Sequence, residues 1–394
     1  MIFNLLAYVI KMIIQSSKYR LAFIYMEEYV FTLNYPTWPE IMQEYEMFIK
    51  GCFGDVRKSF PMIRPETPTF LGVPLVKTPE ELIGADAVII GAPYVATSSE
   101  KYAGVDKNEW LAAPQRVRQQ SIRYQSGYIQ DFDIDVFEHI KVVDYADAEI
   151  PSDVMNSQSP DDILKAQAAV EKKVGHALDA NAIPIVIGQN SPCGSYAIAK
   201  PIAERTVGKV GCISLDTHWD AQPLDFLTND SRIAGSGSWK HKMYEFHDNM
   251  SPRNLVEIGE RGLLEKKDIV RKYLKEGARF ISSWEIRTKL GIDGLVAELD
   301  KAYQGTDAVY AHFDMDVMGG AGPAPGDILG EAVEPIGLTD YEIIRIAHEV
   351  GKRGLSGMSF ICIPPGSAVV YRVIVYVIMY LLAGLAMRKN NQVL

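Results

Sequence analysis

The sequence predicts an α/β fold, a three-layer α/β/α arrangement built on a mostly parallel eight-stranded sheet. Two observations predict it. From about residue 85 onward, short runs rich in β-branched residues alternate with longer stretches of helical pattern, the signature of strands linked by crossover helices. Eight such runs can be counted. In order they are AVIIGAPY (Ala87–Tyr94), IKVVDYA (Ile140–Ala146), IPIVIG (Ile183–Gly188), VGCISLD (Val210–Asp216), LVEIG (Leu255–Gly259), ARFISS (Ala278–Ser283), AVYAHFDMD (Ala308–Asp316) and LSGMSFICI (Leu355–Ile363). Between them, segments such as Asp161–Ala180 and Glu265–Glu276 carry apolar residues at helical spacing, so the repeating unit is βαβ. No G-x-G-x-x-G follows an early strand, which argues against a nucleotide cofactor.

The chain has 394 residues, 47% hydrophobic and 23% charged, an ordinary globular composition with apolar material for a large core. A net charge of -10 and the lack of a Lys/Arg run argue against nucleic acid as a partner. The four cysteines, Cys52, Cys193, Cys212 and Cys362, have no C-x-x-C spacing and suggest neither a disulfide framework nor a zinc knuckle; a reducing cytoplasm fits them best. Residues 1–25 begin with an apolar stretch that lacks both a basic lead and a small-residue cleavage site, and read as a start placed too early, with Met26 opening the protein, or as a disordered lead. Residues 26–84, rich in aromatics, prolines and mixed charge, read as an N-terminal extension before a domain at 85–388, with a short tail at 389–394. Ala368–Met387 is long enough to span a bilayer and carries one charge, Arg372. The reading preferred here is a final helix buried in a large fold and in subunit contacts, which makes a membrane an unexpected partner.

The strongest local signal is Asp216-Thr217-His218-Trp219-Asp220, which begins where an apolar strand ends. Open α/β sheets place their ligand sites at that edge. Asp216, His218 and Asp220 offer two carboxylates and an imidazole at alternate positions, a donor set suited to Mn, Ni or another divalent ion. Asp314-Met315-Asp316 closes a second apolar run with alternate carboxylates. An Asp at a strand end is also a common helix N-cap. Four carboxylates and a histidine on one edge, however, would repel one another without a cation. Two metals shared between the motifs could activate a water for hydrolysis.

DTHWD and FDMDV, in this order, resemble the D-A-H-x-D and D-x-D motifs of the ureohydrolases, the family of arginase, agmatinase, formiminoglutamase and guanidine hydrolase. IIGAPY, AAPQRVRQQS, IPIVIG, VEIGERG and the APG at Ala324–Gly326 also match, so the resemblance runs over roughly residues 85–388. The Asp220–Lys240 insertion and the GGAGPAPGD after DMDV resemble guanidine hydrolase more than classical arginase. The resemblance implies an arginase-like fold, a dinuclear Mn or Ni site held by Asp216, His218, Asp220, Asp314 and Asp316, release of urea from a guanidino carbon, and trimers or hexamers.

The match is broken in three places. Where the family has the histidine of G-G-D-H-S, this chain reads Gly188-Gln189-Asn190-Ser191, and Ser191 is a weak ligand, so reduced metal occupancy, with a mononuclear or empty site, is an expectation beside the dinuclear one. Where the family's E-V-N-P supplies a glutamate to the guanidinium, the chain has Cys362-Ile363-Pro364-Pro365. The histidine that follows D-A-H-x-D in the family has no evident counterpart, although His241 and His247 are nearby. Asn190 and Trp219 are candidate substrate contacts, with space-filling and core packing as their alternatives. The expected function is that of a degenerate, structural subunit that assembles with a homologous catalytic ureohydrolase chain acting on guanidine or metformin, as in heteromeric metformin hydrolase. An active Ni or Mn guanidinohydrolase with an altered ligand set is the second expectation, and a membrane-anchored binding protein using the apolar termini is the third.

Overall fold

A computed structural model of the chain describes residues 60–95, 107–124, 126–225, 228–259, 266–319 and 336–393. The expected lead at 1–25, most of the extension and, after Gly319, the GGAGPAPGD segment lie outside the described residues. All eight expected strands form. In chain order the elements that position the site are β1 (Ala87–Gly91), α1 (Ala113–Ser121), β2 (Val142–Asp147), α2 (Pro160–Asp179), β3 (Ile183–Ile187), α3 (Ala197–Arg205), β4 (Val210–Leu215), α4 (Trp239–Phe246), β5 (Met250–Ile258), β6 (Arg279–Ile281), β7 (Ala308–Asp314), α5 (Asp340–Arg353), β8 (Gly357–Ile361) and α6 (Ala368–Val393). The sheet order is β6-β5-β4-β7-β8-β3-β1-β2, and every pairing is parallel.

Parallel sheets survive only with both faces covered, which is why their strands read as nearly continuous apolar runs. Side chains alternate between the two faces. Ala87 and Ile89 of β1 point into a core with α1, α5 and α6, while Val88 and Ile90 point into a second core with α2, α3 and α4. The sheet is therefore the middle layer of three. β5 starts earlier than its apolar run, at Met250, because its ladder slips between Val210↔Met250 and Cys212↔Leu255. That irregularity accommodates Pro252, which cannot donate to a ladder.

One helix among the described residues, α6 over Ala368–Asn390, is long and apolar enough to cross a membrane, and 72% of that stretch's most apolar window is buried inside the fold. It lies almost backbone to backbone against α5. A Cβ on Gly384 would come within 2.3 Å of the His348 carbonyl, and one on Gly351 within 2.2 Å of the Leu381 carbonyl. The helix runs on to Val393, through the expected polar tail. The one charge within Ala368–Met387, Arg372, donates to Gln120 in α1 at 2.9 Å. At the carboxyl ends of β1 and β2, fully buried Arg118 of α1 donates to Asp144 at 2.9 Å and to Asp147 at 2.6 Å. Asp144 also accepts the Phe70 amide, and Asp147 pairs with Arg64, so residues before the expected domain start are tied into the same framework.

His348 of α5 stacks on Phe132 with ring centroids 4.3 Å apart, and burial lowers its pKa from 6.5 to about 4, against the pull of Glu349. As pH falls the unfolded chain protonates this histidine before the folded one does, so stability is expected to drop progressively from about pH 6.5 to about pH 4 and then level. Denaturation midpoints measured across that interval check this, and His348→Gln is expected to flatten the slope.

Candidate metal centre

The four motif-bearing strands lie side by side as β4-β7-β8-β3, so their carboxyl ends form one continuous rim. Asp216 follows β4 and Asp314 ends β7, and each carboxylate caps its own turn with one oxygen. Asp216 Oδ1 accepts the His218 amide at 2.7 Å, and Asp314 Oδ1 accepts the Asp316 amide at 3.0 Å. The N-cap role and the ligand role thus coexist, because a carboxylate has a second oxygen to offer. The two motifs are stitched together across the rim: the Thr217 amide donates to Asp316 Oδ1 and the Thr217 hydroxyl to the Asp316 carbonyl, both at 3.0 Å. His218 Nδ1 lies 3.0 Å from Asp316 Oδ2 and 3.8 Å from Asp216 Oδ1.

Among the described residues, two groups of side chains bring potential ligand atoms within 4.8 Å of one another: Asp216, His218 and Asp316, and Asp216, His312 and Asp314. Asp216 belongs to both. Asp220 sits close enough to raise Asp216 and Asp314 by repulsion. Its φ of +46° turns the chain sharply out of the rim. The insertion that follows is closed by Gln222 N–H to the Gly237 carbonyl at 2.7 Å and Lys240 N–H to the Asp220 carbonyl at 3.1 Å, which brings α4 back over the sheet.

Lys240, the second residue of α4, is fully buried, and sequence reasoning missed it. Its ammonium donates to Asp216 Oδ2 at 3.0 Å, to Glu257 Oε1 at 3.1 Å and to the His218 carbonyl at 3.2 Å. His241 and His247, the residues singled out nearby, pair instead with Tyr273 and Tyr196. Beneath Asp216 the strand registers align a buried polar row on the α4 face: Glu257 of β5 opposite Ser214 of β4, Ser214 opposite His312 of β7, and His312 opposite Ser359 of β8. Ser214 donates to Glu257 at 3.1 Å, and the hydroxyls of Ser359 and Tyr310 reach His312 Nδ1 at 3.3 and 3.4 Å. Trp239 covers the row, its ring 4.6 Å from that of His312.

The electrostatics are those of a site crowded with acid. Burial pushes Asp216 up to about 8 despite Lys240, with Asp220 and Asp316 adding to the rise. Burial and the charges of Asp316 and Asp216 hold Asp314 well above the carboxylate range. Burial alone would lower His218, but the Asp316 hydrogen bond and the surrounding carboxylates push it up to about 10. Likewise Lys240 stays cationic against burial because Asp216 and Glu257 face it. Carboxylates that would otherwise hold protons, set beside an imidazole, fit a divalent cation: the donor types are right, and the ion would relieve the repulsion.

The other candidates fall on the same rim with different surroundings. Ser191 is buried after β3, at the start of the turn leading to α3, and Asn190 accepts the Cys193 and Gly194 amides with its carbonyl. Gln189 ties this loop to the end of β8, its side-chain amide exchanging two 2.7 Å hydrogen bonds with the Ile363 backbone. Cys362 is half-buried with φ +50°. Trp219 is fully buried, its ring 5.8 Å from those of Tyr273 and Phe280.

The family model described as the arginase family matches residues 85–381. The chain is 25% identical over 300 residues to a guanidinobutyrase of Pseudomonas aeruginosa, covering 74% of this chain and 82% of that protein. Among solved structures, proclavaminate amidino hydrolase from Streptomyces clavuligerus superposes with a TM-score of 0.65 at 26% identity, covering 82% of this chain and 97% of that one. Trypanosoma cruzi formiminoglutamase with Mn2+ superposes with a TM-score of 0.63 at 22% identity, over 82% and 99% of the respective chains, and shares the fold.

Proposed function

Because this chain belongs to the arginase family of ureohydrolases, with residues 85–381 matched, we propose that it is the structural, metal-holding subunit of a guanidino- or biguanide-hydrolysing assembly. A homologous chain in the same trimer or hexamer would carry the complete catalytic set. The proteins it is similar to include ones named for guanidino and amidino compounds, which supports that substrate class.

The observation that carries this reading is the division of the rim. Among the described residues, β4 and β7 supply the carboxylates and His218, whereas Ser191 after β3 and Cys362 after β8 supply neither an imidazole nor a carboxylate. A guanidinium entering a desolvated site needs an anionic partner or several strong acceptors. Cys362 offers neither. The residues of β4 and β7 fit Mn or Ni, which when bound would supply Lewis acidity and water activation. This chain's own groups would do the rest: Asp316 orients His218, Asp314 caps the turn that presents Asp316, and Lys240 anchors Asp216. The buried α6 favours a core role for that helix over a membrane anchor. Free thiols at Cys193, Cys212 and Cys362 suit the cytoplasm.

A second reading, an active hydrolase with an altered ligand set, is favoured by the additional Asp216–His312–Asp314 group. A urea-release assay on guanidine and metformin separates the two. The purified chain alone is expected to release none, and the chain co-expressed with a homologous ureohydrolase to release urea. Release by the chain alone at the rate of the assembly would replace the structural reading with the active one.

A further inference from the structure

We infer that His312 supplies a nitrogen ligand to a divalent metal held with Asp216 and Asp314, separate from the ion that Asp216, His218 and Asp316 would hold. This rests on the reading above that the rim holds metal. His312 is an interior residue of β7, two positions before the strand ends, and lies outside the sequence motifs. Apart from Tyr310 and the terminal Asp314 the strand is apolar, so an imidazole there has to be accommodated by specific neighbours. Its surroundings are those of a ligand histidine. Nδ1 is met by Ser359 Oγ at 3.3 Å and Tyr310 OH at 3.4 Å, which fixes the ring and selects the tautomer, as outer partners of metal-bound imidazoles do.

The other nitrogen, Nε2, is fully buried and has no hydrogen-bond partner among the described residues. A buried polar atom left in this state calls for an occupant. One ring nitrogen of His312 lies within 4.8 Å of carboxylate oxygens of both Asp216 and Asp314. Two carboxylates and a neutral imidazole suit Mn, Co, Ni or Zn. Lys240 pairs with Asp216 Oδ2 and with Glu257 of β5, whereas His312 and Asp314 stand on β7, which flanks β4 on the side away from β5.

The experiment is a metal count by mass spectrometry on the full chain after loading with Co2+ and dialysis, together with the NMR spectrum of the Co2+ form. The wild type is expected to hold one ion for each group, and His312→Gln and Asp316→Asn each to lose one of them. The wild-type Co2+ form is expected to show two paramagnetically shifted, exchangeable imidazole N–H signals, one each for His218 and His312. The spectrum needs no substitution in the core, so the inference stays testable should His312→Gln fail to fold. A single such signal, or an unchanged metal count in a folded His312→Gln chain, overturns the inference. Both readouts are independent of turnover: loss of the His312 signal leaves the structural-subunit reading in place, and urea release by the chain alone leaves the His312 ligand in place.

Discussion

Replacing Asp216 with Asn is expected to abolish tight metal binding while leaving the metal-free protein no less stable. Asp216 is the one residue common to both ligand groups, so its loss weakens both at once. The expected fall in affinity is roughly 100-fold or more, beyond the 10–100-fold that changes to outer hydrogen-bonding partners cost. The stability half of the expectation follows from its raised pKa, about 8 in the fold against 3.8 when free. A carboxyl that holds its proton more tightly when folded opposes folding as pH rises from the lower value to the higher. An amide removes that opposition and still accepts the His218 amide through its oxygen, and its oxygen can also face the Lys240 ammonium, which keeps Glu257 as its counter-charge. Thermal melts with and without Mn2+ check both halves: the wild type is expected to gain stability with the ion, the variant to gain almost none, and the metal-free variant to melt no lower than the metal-free wild type.

Lys240→Met is expected to have the largest effect on stability. It removes the cation that faces Asp216 and Glu257, both fully buried. Breaking a buried ion pair from one side costs about 3–5 kcal/mol, because the carboxyls left behind must either stay charged without a partner or take up a proton. Glu257 is the more dependent on the lysine: burial already holds its pKa well above the carboxylate range, and besides Lys240 it meets the Ser214 hydroxyl. The double variant Lys240→Met/Glu257→Gln is therefore expected to recover most of the loss. Urea denaturation of the two variants reads this directly. A Lys240→Met midpoint equal to the wild type would mean that the ammonium is not the counter-charge that the geometry makes it.

The eight strands were legible because a sheet covered on both faces imposes apolar runs, and those runs are local in sequence. The ligand carboxylates were legible for a similar reason: Asp216 and Asp314 stand where apolar runs stop. The row beneath them was not. Glu257, Ser214, His312 and Ser359 are neighbours only through strand register, and register is set by pairings between segments up to about 100 residues apart. One signal was available: Glu257 in LVEIG and His312 in VYAHFD are single polar residues inside apolar runs, where an unaccompanied polar side chain implies a buried partner. Lys240 was hidden by the insertion before it. Proximity in sequence pointed to His241 and His247, but α4 presents Lys240 to the sheet and turns those two histidines toward tyrosines.

The glycine contact between α5 and α6 bears on the order in which the molecule is made. All eight strands precede α6 in the chain, yet α6 contributes a large share of the core on its side of the sheet. During synthesis the part of that face under α6 has only α1 and α5 beside it until the ribosome has passed residue 390 or so, leaving an apolar surface of the kind that chaperones hold and that aggregates form from. Because Gly384 and Gly351 let the two backbones nearly touch, α6 can dock only when α5 already presents a groove of the right depth. Completion of this face is thus a late closure. An assembly that uses this chain as a scaffold would have to wait for that closure before its partner could bind.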